Sequence, residues 1–355
     1  MSIHQVAKLA GVSHTTVSRV INHKPGVSAE RAKMVREVME RLAYTPKPRG
    51  QRRGPTARSM VKLPRTLDVF ALVAPELAKG LYPALQQGFA TAAADRGLQI
   101  IASPTDNDVY KQADVLIQLI DKGVAGVAMV PASVGLPPAH HIRLLHHYGI
   151  PVVLLHRAVS GVTAPLITLP AERIGEMAGE RIAKAGHKRV AYLATQRGRV
   201  AEQYERGFRT ALKAEGVALP DSLVDYADMR SLTPSDYEQY RAHATAALHR
   251  LMKGPNAPTV LFTSFEASAE VLYLEALRMG LNVPEDLSIV TVGSPQRTGA
   301  ISQCLTAVAV DEARVGGDAA RLLDEMVQGE RAIDDDETFA ANIAFDEGET
   351  LGPPR

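Results

Sequence analysis

Residues 3–22, IHQVAKLAGVSHTTVSRVIN, decide the fold of the first part of the chain. Ser2 stands where an N-cap belongs, and Gln5, three residues on, completes a capping box. Ile3, Val6, Ala7 and Ala10 then share one helical face. Gly11 falls where the chain must leave that helix, a position that favours a left-handed residue. Ser13 caps a second helix whose buried stripe is Val17, Val20 and Ile21. His14, Thr15, Ser18, Arg19 and Asn22 are left outward. A row of hydrogen-bonding side chains on a slim helix suits the base edges of a major groove.

A two-helix hairpin of this kind also occurs as ordinary packing, so the charge around it matters. Residues 1–65 hold 14 Lys and Arg against 3 Asp and Glu, a net of +11. The remainder then holds 26 basic and 36 acidic residues, a net of −10, and the whole-chain charge of +1 hides the asymmetry. A basic head of this size on an acidic body is the footprint of a polyanionic partner. The 355 residues, 46% of them apolar, are enough for two or three domains with real cores. No apolar run approaches the ~18 residues that cross a bilayer, and no signal peptide precedes the head. The single cysteine, Cys304, excludes an internal disulfide and fits a reducing compartment. A cytoplasmic, nucleoid-associated protein is expected.

Ser28 opens a third helix, with Glu30 in its first turn and Val35, Val38, Met39 and Leu42 along one face. It closes a headpiece over residues 1–46. Residues 46–64 differ in kind, with four prolines, two glycines and four arginines beside Lys47 and Lys62. They bury little and form a linker over residues 47–66. Within it Pro55 can open a short helix that Pro64 stops. Eight residues are too few to hold a helix alone in water, so DNA or a second copy must support it.

AGVSHTTVSRVIN, followed by VSAE and LAYTP, resembles the DNA-binding headpiece of the LacI/GalR family of bacterial regulators. The run Ala57-Arg58-Ser59-Met60 resembles that family's hinge helix, and the resemblance implies Arg58 and Met60 as minor-groove residues, Met60 as a wedge. The spacing departs from the family: residues 47–54, KPRGQRRG, are additional. They read as a solvated spacer or as an arginine arm lying along a narrow groove. Arg19, His14 and Thr15 are the expected base readers, Arg19 on a guanine edge. Ser2, Ser13, Thr16, Ser18, Asn22 and Ser28 are the expected phosphate clamps.

From Leu67 strand and helix patterns alternate. Buried-strand candidates are 67–74, 98–102, 126–130, 151–155, 189–193, 258–263 and 288–292, with amphipathic segments between them. This pattern argues for parallel sheets covered on both faces. AGHKRVAY at 185–192, GIPVV at 149–153 and VPEDLS at 283–288 match the family as well. The fold class implied is an all-α helix-turn-helix headpiece on an α/β body of two periplasmic-binding-protein-like, Rossmann-like lobes. The body spans 67–348 with a tail at 349–355, and the chain crosses between lobes near 167, 295 and 328. Ligands in such sheets sit outside the carboxyl ends of the strands.

The pocket residues depart from the family's pattern. His156 stands where an aspartate commonly ends the IPVV strand, followed by the usual Arg157. Leu169 and Pro170 fall where another acid is usual. Tyr204 replaces an arginine, Phe265-Glu266 an Asn-Asp pair, and Thr291-Val-Gly-Ser294 the usual Gly-Phe-Asp-Asp. Changing buried donors and acceptors changes the ligand, so this is not an ordinary hexose pocket. The effector candidates are Tyr82, Thr105, His156, Arg157, Tyr204, Arg206, Phe265 and Glu266. His156, Arg157 and Arg206 suit an acidic or phosphorylated ligand, while Tyr82, Tyr204 and Phe265 offer faces to a sugar or nucleoside ring.

Other features are ordinary. His140, His141, His146 and His147 read as a solvated helix face, with no metal site, and 334–337 as an acidic turn. No phosphate-cradling loop, nucleophile elbow or cofactor motif stands out, so no enzyme is expected. The reading is a ligand-responsive repressor, a homodimer on a near-palindromic DNA operator, with a small-molecule effector. Two alternatives stay open: a constitutive DNA binder with a vestigial cleft, and a cytoplasmic α/β enzyme with a basic localisation module.

Overall fold

The computed structural model describes residues 7, 10, 12, 14–21, 27–41, 68–132, 139–194, 197–227, 234–297 and 299–355. The chain divides into two units, Met1–Ser59 and Met60–Arg355.

In the first unit, α1 (His14–Ile21) and α2 (Ala29–Arg41) pack on each other. Val17, Val20, Val35 and Val38 are buried between them together with Ala7 and Ala10, and Ile21, Val27 and Met39 close the cluster. Their 3–4-residue spacing gives each helix one apolar stripe. Ser28 caps α2: its hydroxyl accepts from the Arg31 amide at 3.4 Å. Ile3, Val6, Gly11, Ser13 and Leu42, and the whole linker, lie outside the described residues.

The second unit is built on two six-stranded sheets. The first runs β11-β5-β4-β3-β1-β2 and the second β12-β10-β9-β8-β6-β7. In chain order the strands are β1 (Val69–Ala74), β2 (Gln99–Pro104), β3 (Gly126–Met129), β4 (Val152–His156), β5 (Leu166–Thr168), β6 (Val190–Ala194), β7 (Val224–Tyr226), β8 (Val260–Thr263), β9 (Ser288–Gly293), β10 (Thr306–Val310), β11 (Thr338–Ala340) and β12 (Ile343–Asp346). Every pairing is parallel except β10 with β12. The central strands β3, β4, β8 and β9 are buried along their whole length, as continuous apolar runs with helices on both faces require.

The helices of this unit are α3 (Tyr82–Ala94), α4 (Val109–Lys122), α5 (Ala139–His147), α6 (Ala171–Lys184), α7 (Arg199–Ala214), α8 (Pro234–Leu251), α9 (Glu266–Arg278), α10 (Ala300–Cys304) and α11 (Glu312–Gln328). Asp108 caps α4 by accepting from the amides of Tyr110 and Lys111, and Gly123 at φ 68° ends it.

The chain passes between lobes three times. After β5 it leaves the first sheet and forms α6 on the second. After β10 it returns, with Asp311 capping α11 on the first sheet. Between β11 and β12 it crosses again at 341–342. The second and third crossings therefore differ from those expected near 295 and 328. Residues 295–310 stay with lobe two because β10 pairs with β9, and residues 328–340 stay with lobe one because β11 pairs with β5. Lobe one is β1–β5 and β11 with α3, α4, α5 and α11; lobe two is the rest.

Each crossing helix clamps the first helix of the lobe it enters. A Cβ on Gly88 would meet the Ala313 carbonyl oxygen at 1.9 Å, and one on Gly316 the Leu85 oxygen at 2.2 Å. The α6–α7 pair repeats this with Gly175 on Tyr204 O at 2.0 Å and Gly207 on Glu172 O at 1.9 Å. Backbones this close exclude any side chain at the contact.

Candidate functional site

Most of the candidate effector residues follow the carboxyl ends of β1, β4 and β8 in the chain. On lobe one, β4 ends at His156, whose φ of 62° lies in the left-handed region that costs a non-glycine residue about 1 kcal/mol. Its Nε2 lies 3.0 Å from Glu312 Oε2, and both side chains are buried. Glu312 is the first residue of α11, so the second crossing delivers it beneath the end of β4. The rings of Tyr82 and His156 are 6.2 Å apart. Burial pushes the Tyr82 hydroxyl above its usual range, with Arg157 acting against burial and Glu312 and Glu76 adding to it.

Tyr204 brings lobe two into the same cluster. It is buried, and its hydroxyl is raised by burial first and then by Glu312 and Tyr82, while Arg157 lowers it. Tyr82, His156, Arg157, Tyr204 and Glu312 thus share one electrostatic neighbourhood. Glu312 Oε1 and Arg157 Nε are buried in it without hydrogen-bond partners among the described residues. Such atoms cost about 1–3 kcal/mol each unless something meets them.

A second cluster stands on lobe two. Phe265 precedes α9, and its ring fills the place a Cβ on Gly80 of lobe one would take, at 2.4 Å from that position. Gly80, at φ 61°, allows both the turn and the approach. Glu266 begins α9. Burial pushes its carboxyl up to about 7 against the pull of Arg297, with Glu270 raising it further; the Ser294 amide and Ser302 hydroxyl favour the charged form. The Arg297 side chain is only 5% exposed and pairs with Asp346.

The sequence candidates therefore separate. Tyr82, His156, Arg157 and Tyr204 come together, and Phe265 and Glu266 form the facing group. Thr105 is fully buried and donates to the Ala74 carbonyl at 3.3 Å, tying β2 to β1. Arg206 is not with them: its side chain is 66% exposed and pairs with Glu172 at 2.6 Å. Two residues beyond Tyr204, it points to the opposite side of α7, since a helix turns about 200° in two residues. Glu312 and Arg297 were not anticipated. Asp311 before an amphipathic stretch was a readable cap, but its sheet was not, and Arg297 sits in a loop without periodicity.

The histidine helix α5 is not simply solvated. Ile142 and Leu145 anchor it, and His141 and His146 are half-buried, with burial lowering the pKa of both. Among the described residues no group of three or more His, Cys, Asp or Glu is placed to hold a metal ion. No helix among them is long and apolar enough to cross a membrane.

In the headpiece Arg19 is exposed and Thr16 half-buried. The side chains of His14, Thr15 and Ser18, and all of Ser2, Ser13, Asn22, Arg58 and Met60, lie outside the described residues.

Residues 2–47 match the model of bacterial regulatory proteins of the lacI family, and residues 180–343 that of the periplasmic binding protein-like domain. The chain carries a LacI-family DNA-binding domain and a periplasmic-binding-protein-like domain. Catabolite control protein A of Priestia megaterium is 27% identical over 335 residues, 93% of each chain. The transcriptional regulator CelR of Thermobifida fusca is 27% identical over 341 residues, 93% of this chain and 92% of its own. Among solved structures, a CelR–cellobiose complex matches with a TM-score of 0.66 at 24% identity, over 99% of this chain and 100% of that one. A lac repressor dimer bound to operator and an anti-inducer matches at 0.63 and 19%, over 99% and 98%. These structures share the headpiece and the two-lobed body. Like its LacI-family relatives, this protein is a DNA-binding transcriptional regulator and not an enzyme.

Proposed function

We propose that this LacI-family protein is a repressor that binds a near-palindromic operator as a homodimer and is controlled by a small molecule held between its lobes. The observation that carries the effector is the set of buried, unpartnered polar atoms Arg157 Nε, just after β4, and Glu312 Oε1, at the start of α11, on lobe one and Glu266 Oε2, at the start of α9, on lobe two. A vestigial cleft has no reason to keep such atoms, because apolar replacements remove their desolvation cost. The headpiece supplies the DNA side: a net +11 over residues 1–65 for phosphates and an exposed Arg19 for a base edge. Arg58 and Met60 are assigned to the minor groove at the operator centre. A second copy of the chain has exposed apolar residues to meet, Tyr110 and Ile117 on α4 and Leu274 and Leu277 on α9.

Effector binding changes operator affinity only as far as it discriminates between the DNA-competent and DNA-incompetent states. Selection from random DNA tests the reading: a reader enriches a palindrome, whereas a merely basic protein enriches nothing and dissociates in moderate salt. On the selected operator, Arg19→Ala should cost about 1–3 kcal/mol and relax one base position. Equal weakening on all sequences would move Arg19 to the phosphates.

A further inference from the structure

The second sheet has a cavity of about 370 Å³ at the amino ends of its parallel strands, the end opposite the cleft. Thr306, the first residue of β10, is the one buried residue of its lining. Phe345 of β12 and Leu351 of the C-terminal segment supply apolar wall, and Arg181, Lys184 and Glu347 stand at its charged side. The C-terminal segment is stitched down beside it. The Thr350 hydroxyl accepts from the Thr306 amide at 2.9 Å and donates to the Ile289 carbonyl at 2.6 Å, and Gly352 O lies 2.8 Å from His187 Nε2. The walls are therefore in place before any occupant arrives.

Three features of the lining select an occupant. Arg181 and Lys184 are three residues apart in the last turns of α6 and so share one side of the helix. The Arg181 guanidinium lies over the Phe345 ring, 4.8 Å from its centroid, and pairs with Glu347 at 3.2 Å. Lys184 forms no ion pair among the described residues. The lining thus carries two cations against one carboxylate, and the one pair it holds is exposed, hence weak and open to exchange. Beside that surplus charge are Phe345 and Leu351, which suit a flat apolar body. The Thr306 hydroxyl is buried with no hydrogen-bond partner among the described residues, a cost that a valine of the same shape would avoid. An inorganic anion leaves the apolar wall uncovered, and a hydrocarbon leaves the charge and the hydroxyl unmet.

We infer that this cavity is a second ligand site, apart from the cleft, for a small phenolic carboxylate. Its carboxylate meets Lys184 and Arg181, its ring lies against Phe345 and Leu351, and its hydroxyl pairs with Thr306. The volume suits one ring with a short side chain, at the small end of ligand sites. The elements that line it reach the cleft at their other ends. β10 runs from Thr306 toward Glu312, and α6 runs from the first crossing to Lys184.

Calorimetric titration of the full chain with para-hydroxyphenylacetate tests this, in enough salt to screen the basic head. Tyrosol, which lacks the carboxylate, and phenylacetate, which lacks the hydroxyl, are the matched controls. One para-hydroxyphenylacetate is expected per chain, with each control about tenfold weaker, the scale of one lost polar contact in a built site. Lys184→Met should weaken the full ligand about tenfold and leave tyrosol unchanged. Thr306→Val should bring the full ligand down to the affinity of phenylacetate. Lys184 is exposed at a helix end, so its variant stays informative where Thr306→Val does not fold. Absence of binding, tyrosol binding as tightly as the acid, or unchanged affinity in Lys184→Met overturns the inference. The last result would send the ligand to the cleft or the headpiece instead.

Discussion

Lobe one holds α11 against α3 through Gly88 and Gly316, and lobe two holds α6 against α7 through Gly175 and Gly207. The two contacts have the same reciprocal geometry, each glycine facing the carbonyl of a residue on the opposing helix. The walls these helices support do not resemble each other. Lobe one presents a buried His156–Glu312 pair at 3.0 Å flanked by Arg157 and Tyr82, while lobe two presents Glu266 beside Gly293 and Arg297 paired with Asp346. Backbone packing has little freedom once two helices meet at a glycine, so the frame repeats. Side chains at strand ends have few neighbours to satisfy, so each wall takes its own chemistry.

The repeat is broken most directly at its glycines. Gly88→Ala and Gly207→Ala should each remove about 4 kcal/mol or more of stability, because a carbonyl oxygen already occupies the space. Chemical denaturation checks it, and tolerance in one lobe with collapse in the other would show that the frames are not equivalent. Glu312→Ala should cost about 3 kcal/mol by stripping a buried partner from His156. Glu312→Gln should cost less because it keeps the volume and one acceptor, and equal losses would mean that charge rather than volume matters there.

The pH dependence of lobe two comes next in size. The carboxyl of Glu266 lies at about 7 in the folded chain and at 4.5 in the reference state. Between those values the folded state holds a proton that the unfolded state has lost, so stability falls as pH rises through that window. After solvent screening the loss is on the order of 1–2 kcal/mol, and melting curves of Glu266→Gln should lack it. Arg206→Ala should change stability by less than about 0.5 kcal/mol, since its pair with Glu172 is exposed. A larger loss would place that pair in the α6–α7 clamp.

Much of this was readable from residue patterns. The longer apolar runs announced β1, β4, β8 and β9, and the stripe of Val17 and Val20 announced the headpiece core. The three-residue strands β5, β7 and β11 were too short to leave a period. Thr306–Val310 is strand-like in composition, but which sheet it joins is a tertiary choice, and that choice moved the second crossing from 295 to Asp311. At the site, residues at strand ends such as His156 and Glu266 were legible because topology places ligands there. Arg206 misled because proximity in sequence to Tyr204 is not proximity on a helix. Glu312 and Arg297 were hidden because a crossing and a loop, neither with a periodic signature, bring them in.

The three crossings also set a timetable for synthesis. The first sheet takes its edge strand from Thr338–Ala340, although its other five strands are complete by Thr168. On the ribosome the first lobe therefore stands without α11 and with the flank of β5 open while about 170 further residues are added. An unpaired strand edge invites pairing with another chain. A stall before residue 338 leaves both sheets without their last strands, β11 and β12.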